Sequence, residues 1–225
     1  MTSADLRVRL RSVNGFALDV AFDVPPGVTV LFGPSGSGKS TTLGAIAGLV
    51  RPREGRVALG DEVWFDSQAE VDVAVHRRHV AYVFQSLALF PHMTAAQNVT
   101  YGMDRKLAPE ARRSRAVALL ERLRVPHLAD RKPPTFSGGE AQRVALARAM
   151  ATSPRAVLLD EPFSALDREL RRDLLADMQG FLRELQVPAV FVTHDRQEAL
   201  ALGERVVVLA VGRVARQGSM KELEP

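Results

Sequence analysis

Residues 33–40, GPSGSGKS, constrain the fold of this chain more than any other stretch. They match the pattern G-x-x-x-x-G-K-S and lie between an apolar run, residues 28–32, and a segment with helical periodicity, residues 40–47. A glycine-rich turn between a buried strand and a helix presents its backbone N–H groups to phosphate oxygens. The context therefore predicts a phosphate-binding loop (P-loop) rather than a glycine-rich turn beside a surface lysine.

The P-loop predicts specific contacts to a nucleotide and its metal ion. Lys39 is expected to reach the β- and γ-phosphates, and the hydroxyl of Ser40 is expected to bind Mg²⁺. The predicted phosphate-binding residues are Gly33, Pro34, Ser35, Gly36, Ser37, Gly38, Lys39, Ser40 and Thr41.

A second apolar run, residues 156–159, ends in the acidic pair Asp160 and Glu161. In an α/β sheet, ligands bind at the carboxyl ends of the strands, so Asp160 is expected to hold Mg²⁺ there, through water. Consecutive side chains at a strand end point in different directions, and Glu161 is the candidate general base that polarises an attacking water. The alternative for this pair is a loop cap, and the P-loop favours the catalytic role.

Short apolar runs alternate with helical segments along much of the chain, which is typical of a parallel α/β sheet. The predicted strands are residues 28–32, 80–84, 156–159, 189–193, 206–210 and 213–216. The predicted helices are residues 40–47, 111–123, 141–150 and 170–185. Alternating polarity in residues 6–10 and 16–24 predicts a small antiparallel sheet.

Residues 87–151 depart from this alternation and are predicted to be wholly helical, with breaks at Pro109, Pro126, Pro133 and Pro134. We therefore predict an α/β fold. It has a P-loop NTPase (RecA-like) core, a small N-terminal antiparallel β-subdomain and an inserted helical subdomain. The expected boundaries are 1–86 and 152–225 for the ATP-binding core, which includes the β-subdomain, and 87–151 for the helical subdomain.

Composition excludes several classes of protein. The 225 residues are 46% hydrophobic and 25% charged, as in ordinary globular proteins. The net charge is +4 and the basic residues are scattered, so no nucleic-acid surface is expected. There is no cysteine for a disulfide framework, no signal-peptide pattern and no apolar run long enough for a membrane span. These features predict a cytosolic chain.

A second glycine-containing turn, FSGGEAQR at residues 136–143, precedes a predicted helix. It resembles the signature motif of ABC-type ATPases, whose most frequent form is Leu-Ser-Gly-Gly-Gln. Phe136 and Glu140 replace the ends of that motif, while Ser137 and Gly139 are kept. Gln85 resembles the family's Q-loop glutamine, residues 164–167 resemble its D-loop, and His194 resembles its switch histidine. These motifs follow the family's order and cover essentially the whole chain.

The resemblance implies a head-to-tail dimer of two copies, because the family holds each ATP between the P-loop of one subunit and the signature of the other. Ser137, Gly138, Gly139 and Asp167 would then contact nucleotide in this dimer. The resemblance also implies that Gln85 contacts Mg²⁺ and the attacking water, and that His194 contacts the γ-phosphate. Phe16 is the candidate for stacking on adenine, with a core phenylalanine as the alternative. Asp195 is expected to cap the helix that begins near Arg196.

A free-standing ATPase of this family is typical of bacterial or archaeal importers. The resemblance therefore implies a peripheral protein at the cytoplasmic face of the membrane. Its partners would be integral permease subunits and, indirectly, an extracytoplasmic solute-binding protein. Residues 83–94 resemble the importer Q-loop region, which receives a coupling helix from the permease. Within it, Leu89 and Phe90 are either docking or core residues.

The resemblance is strongest to importers of molybdate and related oxyanions, on the stretches GDEVWFDS (60–67) and FPHMTAAQNVTYGM (90–103). The chain stops shortly after its last predicted strand, so a C-terminal regulatory domain is expected to be missing or removed. Two alternatives stay open. One is an ABC-type switch that acts on a soluble partner or nucleic acid, and the other is a small-molecule kinase, which would leave the signature and His194 without roles.

Overall fold

The computed structural model describes residues 5–13, 16–164, 166 and 168–219, with backbone alone at 12, 13, 16 and 168–170. Within these residues the chain forms eleven strands and six α-helices. The strands are β1 Leu6–Val13, β2 Phe16–Val24, β3 Gly27–Phe32, β4 Pro52–Leu59, β5 Glu62–Asp66, β6 Val71–Asp72, β7 Val80–Val83, β8 Ala156–Asp160, β9 Pro188–Thr193, β10 Arg205–Ala210 and β11 Arg213–Ser219. The helices are α1 Lys39–Ala47, α2 Ala95–Thr100, α3 Pro109–Arg122, α4 Gly138–Met150, α5 Arg168–Leu185 and α6 Arg196–Leu202. None of these helices is both long and apolar enough to cross a membrane.

The strands form one sheet in the order β6-β5-β4-β1-β2-β11-β10-β3-β9-β8-β7. Strands β10, β3, β9, β8 and β7 are parallel neighbours, and strands β6, β5, β4, β1 and β2 are antiparallel neighbours. Strand β11 joins the two parts, because it pairs antiparallel with β10 and meets β2 where Arg213 faces Asp19. The sheet thus combines a parallel α/β core with an antiparallel wing.

The parallel strands are apolar because both of their faces are covered. On β8, Val157 and Leu159 belong to one hydrophobic cluster, and Ala156 and Leu158 belong to the other. The first cluster also contains residues of α4, α5 and α6, while the second contains residues of α1 and the antiparallel wing. Helices α4, α5 and α6 therefore cover one face of the parallel strands, and α1 and the antiparallel wing cover the other. Because β3, β8 and β9 are parallel neighbours, the loops that follow them leave the same edge of the sheet.

The predicted strands and helices all form, with ends that differ by a few residues. The N-terminal hairpin is confirmed by the pairing of Leu6 with Val24, but its sheet is larger than predicted because β4, β5 and β6 extend it. Residues 87–151, all described, hold α2, α3, α4 and short 3₁₀ turns, and no strand. The exact subdomain boundaries stay a prediction.

Candidate active site

The P-loop follows β3 and ends where α1 begins at Lys39. Gly38 is the N-cap residue of α1, with φ 100° and ψ 8°, a left-handed conformation that favours glycine. At Gly33, an added Cβ would lie 2.3 Å from the carbonyl oxygen of Leu209 in β10. Because a glycine N-cap has no side chain to accept from the first-turn N–H groups, these donors are left for an anion.

Lys39 lies along the inside of the loop and is only 5% exposed. Its ammonium donates to the carbonyl oxygens of Gly33 and Pro34, each at 2.9 Å, and its Nζ lies 3.9 Å from Oε1 of Glu161. Burial lowers the pKa of Lys39, and the charges of Glu161 and Asp160 oppose that shift. The loop therefore holds a buried cation at its centre. Nearby Ser37 is buried, and its hydroxyl is without a hydrogen-bond partner among the described residues.

Asp160, at the end of β8, accepts two hydrogen bonds from other elements. The hydroxyl of Ser40 donates to Oδ1 at 2.9 Å, and the phenol of Tyr82 on β7 donates to Oδ2 at 3.2 Å. Burial raises the pKa of Asp160 against the opposing effect of these hydrogen bonds, and burial also raises the pKa of Tyr82. Tyr82 was not predicted from the sequence, because its role depends on β7 lying beside β8.

The residues around Asp160 fit Mg²⁺. A serine hydroxyl and a carboxylate supply hard oxygen donors, and they already lie within hydrogen-bond distance of each other. Among the described residues, no group of three or more His, Cys, Asp or Glu side chains could hold a metal. Mg²⁺ bound beside Ser40 and Asp160 would take its remaining oxygens from phosphates and water, as is common for this ion.

Glu161 lies between Lys39 and His194. Its Oε2 is 3.2 Å from Nδ1 of His194, and its Oε1 faces the ammonium of Lys39. Its backbone N–H donates to the carbonyl oxygen of Val192 on β9 at 3.1 Å, and its φ of 42° is unusual for a residue other than glycine. Such backbone strain persists only where the surroundings fix it, and it is common at active sites. The structure therefore brings together the predicted base, the P-loop lysine and the switch histidine.

Gln85 follows β7, and its amide donates to the hydroxyl of Ser164 at 3.3 Å. This contact joins the predicted Q-loop to the predicted D-loop. The magnesium and water contacts of Gln85 stay predictions. Asp167 and the side chain of Phe16 lie outside the described residues, so their predicted contacts are also untested.

The signature residues begin α4, for which Ser137 is the N-cap. The Ser137 hydroxyl accepts from the N–H of Glu140 at 3.3 Å, and the Glu140 carboxylate accepts from the N–H of Ser137 at 2.8 Å. Nε2 of His127 lies 2.9 Å from the other oxygen of Glu140. The hydrogen bond from His127, followed by that from the Ser137 backbone, lowers the pKa of Glu140. Glu140 therefore completes a capping box.

The two glycine turns of one chain belong to different parts of the fold. Helix α1 packs against β1, β8 and β9, whereas α4 packs against α2, α3, β7 and α5. Among the described residues, no hydrogen bond or ion pair joins residues 33–41 to residues 137–139. Ser137 and Gly138 are exposed at the start of α4, and Gly139 is buried. The signature is therefore available to something other than its own P-loop.

A partly buried network of charged side chains lies next to His194 and was missed from the sequence. Arg171 on α5 donates to the carbonyl oxygen of Leu166 at 2.8 Å and to Asp195 at 2.9 Å, and its Nε lies 3.5 Å from Glu198. Glu198 accepts from the hydroxyl of Thr193 at 2.6 Å, and burial raises the pKa of Glu198. The network ties the end of the D-loop to the residues on both sides of His194.

Asp195 confirms a local prediction. It is the N-cap of α6, and its carboxylate accepts from the N–H groups of Gln197 and Glu198. Helix α6 therefore begins two residues after His194, and this cap helps to fix the backbone that carries the histidine.

An apolar groove lies beside the Q-loop, with a cavity volume of about 330 Å³. Its lining includes Phe84, Ala88, Phe90, Tyr101 and Arg148. The ring centroids of Phe90 and Tyr101 are 4.5 Å apart, and Tyr101 is 57% exposed. Leu89, by contrast, packs against the main hydrophobic cluster. Of the two residues left open by the sequence, Leu89 is therefore partly buried against the core, and Phe90 lines the groove.

A P-loop and an acidic pair at the carboxyl edge of a parallel sheet define the class of P-loop NTPases. Comparison with known proteins specifies the family. The ABC transporter family model matches residues 18–164. The chain therefore belongs to the ABC transporter family.

Curated relatives include the molybdenum import ATP-binding protein ModC 1 of Azotobacter vinelandii, 45% identical over 99% of this chain and 62% of its own length. The sulfate/thiosulfate import ATP-binding protein CysA of Nephroselmis olivacea is 44% identical over 92% of this chain and 60% of its own length. The chain thus spans about three fifths of these relatives. A solved dimer of the ATP-binding cassette MJ0796, in a post-hydrolysis state with ADP and Pi, matches with a TM-score of 0.81 and 30% identity. That match covers 96% of this chain and 98% of the cassette.

Proposed function

We propose that this chain hydrolyses ATP as the ATP-binding subunit of an importer for molybdate or a related oxyanion. The observation that carries the proposal is the convergence of Lys39, Ser40, Asp160, Glu161 and His194 at one edge of the parallel sheet. The importer class and the oxyanion are supported by relatives named for molybdenum and for sulfate or thiosulfate import.

Each residue has a role in this hydrolysis. The P-loop N–H groups and Lys39 bind the β- and γ-phosphates once the ammonium exchanges the carbonyls of Gly33 and Pro34 for phosphate oxygens. Ser40 and, through water, Asp160 would hold Mg²⁺, with Gln85 as a further contact; the ion when bound neutralises phosphate charge. The domain division proposed from the sequence puts these residues in the core, 1–86 and 152–225, and the signature in 87–151.

A water oxygen attacks the γ-phosphorus while the bond to the β,γ-bridging oxygen breaks, which gives ADP and phosphate. The Glu161 carboxylate accepts the proton of the water. His194 contacts the γ-phosphate and holds Glu161, because its Nδ1 is 3.2 Å from that carboxylate.

The proposed assembly is a head-to-tail dimer of two copies. It would bring the exposed Ser137 and the first N–H groups of α4 to the γ-phosphate on the partner's P-loop. The separation of the two turns within one chain supports this arrangement, and a similar cassette has been solved as a dimer.

The proposed membrane partner is an integral permease, with a solute-binding protein acting on its outer side. This chain would then work at the cytoplasmic face of the membrane. The groove beside the Q-loop supports this part of the proposal, because it offers the exposed side chain of Tyr101 and the partly buried side chain of Phe90 to an incoming segment.

The hydrolytic step is tested with Glu161→Gln, which keeps the shape of the side chain but cannot accept a proton. We expect ATP hydrolysis to fall about a hundredfold or more while ATP binding is retained. The variant should therefore accumulate as an ATP-bound dimer, measured by gel filtration with and without ATP. Turnover at the wild-type rate would remove Glu161 as the base.

Import is tested by disrupting the gene in its own host and measuring uptake of radiolabelled molybdate and, separately, radiolabelled sulfate. We expect uptake of one oxyanion to fall, the wild-type gene to restore it, and the Glu161→Gln gene to leave it low. The anion that responds identifies the cargo. Unchanged uptake of both anions would contradict the proposed transport function.

A further inference from the structure

We propose that Arg148 is a positioning residue that clamps the segment after Gln85 to the signature helix. The inference rests on the proposed function, because it assigns Arg148 a part in hydrolysis through Gln85. Arg148 lies in the last turn of α4, at the opposite end of the helix from Ser137.

The contacts of Arg148 are all directed at one short segment. Its NH1 donates to the carbonyl oxygen of Ala88 at 2.7 Å, and its NH2 donates to that of Leu87 at 2.8 Å. Its guanidinium carbon lies 5.4 Å from the ring centroid of Phe90, a cation–π distance. One side chain therefore contacts three of the five residues, 86–90, that follow Gln85. The partial burial of the guanidinium strengthens these hydrogen bonds.

The clamped segment has a backbone that needs support. Leu87 and Ala88 have φ values of 59° and 47°, and two consecutive left-handed residues other than glycine are unusual. Local bonds close the turn, since the N–H of Leu87 donates to Phe84 and the N–H of Ala88 donates to Ser86. The carbonyl oxygens of the same two residues point to Arg148. The guanidinium thus fixes a conformation that the local sequence does not favour.

The clamp connects three functional features through one rigid helix. Helix α4 is 13 residues long, with the signature at its amino end and Arg148 in its last turn. Gln85 lies two residues before Leu87, and its amide contacts Ser164 of the D-loop. Arg148 also lines the groove beside the Q-loop. A tilt of α4 when the signature meets nucleotide would therefore move Gln85 and the groove together.

The chain provides a matched control on the same helix. Arg143 is mostly buried, donates to the backbone carbonyl of Leu123 at 3.0 Å and contacts Asp177 at 2.5 Å. None of these partners belongs to the Q-loop. Arg143→Gln therefore measures what the loss of a hydrogen-bonded arginine from α4 does to stability alone.

The first measurement is hydrogen exchange of the Leu87 and Ala88 amides in the nucleotide-free protein. Arg148→Gln is expected to speed their exchange about tenfold or more, because the turn loses its two hydrogen bonds from α4. Arg143→Gln should leave these amides near the wild-type rate. This readout does not depend on hydrolysis, so it tests the clamp even if the proposed function fails.

The second measurement is ATP hydrolysis as a function of Mg²⁺ and ATP. Arg148→Gln is expected to lower kcat about tenfold and to raise the Mg²⁺ requirement, with KM for ATP little changed. Arg148→Lys keeps the positive charge but cannot donate to both carbonyl oxygens in the geometry of a guanidinium. Its kcat should therefore lie between those of wild type and Arg148→Gln. In a protein that already carries Gln85→Ala, Arg148→Gln should lower kcat little further, because Arg148 acts on hydrolysis through the side chain of Gln85.

Two results would overturn the clamp. One is exchange of Leu87 and Ala88 that is equally fast in wild type and in Arg148→Gln. The other is a fall in kcat for Arg148→Gln that is no larger than the fall for Arg143→Gln, together with a double variant, Arg148→Gln and Gln85→Ala, whose fall in kcat is the product of the two single falls.

Discussion

Glu140 is informative at the scale of single residues, because it stands where the family most often has glutamine. Its carboxylate caps α4 in the same way that Gln97 caps α2, where Thr94 and Gln97 form the equivalent box. An amide and a carboxylate therefore both fit this geometry. The difference is charge, since a carboxylate in the first turn also interacts favourably with the helix dipole and with His127.

Glu140→Gln is expected to cost no more than about 1 kcal/mol of the free energy of unfolding at neutral pH, because the capping hydrogen bonds are kept. The pKa of Glu140 is lowered in the folded state from its ordinary 4.5. Its ionic contribution is therefore complete above that pH and is lost as the pH falls below it. The variant should lose less stability in acid than wild type, measured by urea unfolding at neutral and acidic pH.

His127→Gln is the control, because the hydrogen bond from His127 is the largest cause of the lowered pKa of Glu140. It should remove much of the same acid dependence while the capping box remains. If wild type and both variants lost the same stability in acid, the proposed ionic contribution of Glu140 would be contradicted.

At the scale of elements, the sequence predicted what local pattern determines. Strand β8 could be predicted because four consecutive apolar residues are followed by the carboxylate of Asp160. The start of α6 could be predicted because Asp195 is a typical N-cap residue. The P-loop could likewise be predicted, because its glycines adopt left-handed conformations that other residues disfavour, as at Gly38. These features need no knowledge of distant partners.

The residues that were missed depend on contacts between distant elements. Buried Arg78 donates to the carbonyl oxygens of Ala45 and Ile46 and so caps the carboxyl end of α1, more than thirty residues earlier in the chain. Tyr82 reaches Asp160, and Arg148 reaches Leu87, over similar or greater separations. In the sequence, each is an ordinary arginine or tyrosine, and only the strand order and helix packing give it a partner.

The antiparallel wing was underestimated for a related reason. After Pro52, β4 carries Arg53, Glu54, Gly55 and Arg56, which do not alternate with apolar residues, so the two-residue period of a strand is hidden. This segment is a strand because it pairs with β1, where Gly55 lies opposite Leu10. An added Cβ at Gly55 would come within 2.2 Å of the carbonyl oxygen of Arg9, so the close approach of β1 requires glycine there.

At the scale of the whole molecule, the two glycine turns lie in different layers of the fold, although the proposed function assigns both to one reaction. Lys39, Glu161 and His194 meet within one chain, whereas the exposed Ser137 does not meet them. The proposed head-to-tail dimer resolves this separation, because a two-fold arrangement brings each signature to the partner's P-loop and forms two equivalent sites. It also predicts how defects in the two turns combine.

Lys39→Ala disables the P-loop, and Ser137→Arg blocks the signature, so each variant alone should hydrolyse ATP at only a small fraction of the wild-type rate. In a mixed dimer, one site carries both defects and the other carries none. An equal mixture, allowed to exchange subunits, should therefore recover about a quarter of wild-type hydrolysis, because half of the dimers keep one of two sites. The control is Lys39→Ala mixed with the double variant, in which no site is intact. A mixture no more active than its two components would mean that each chain completes its own site.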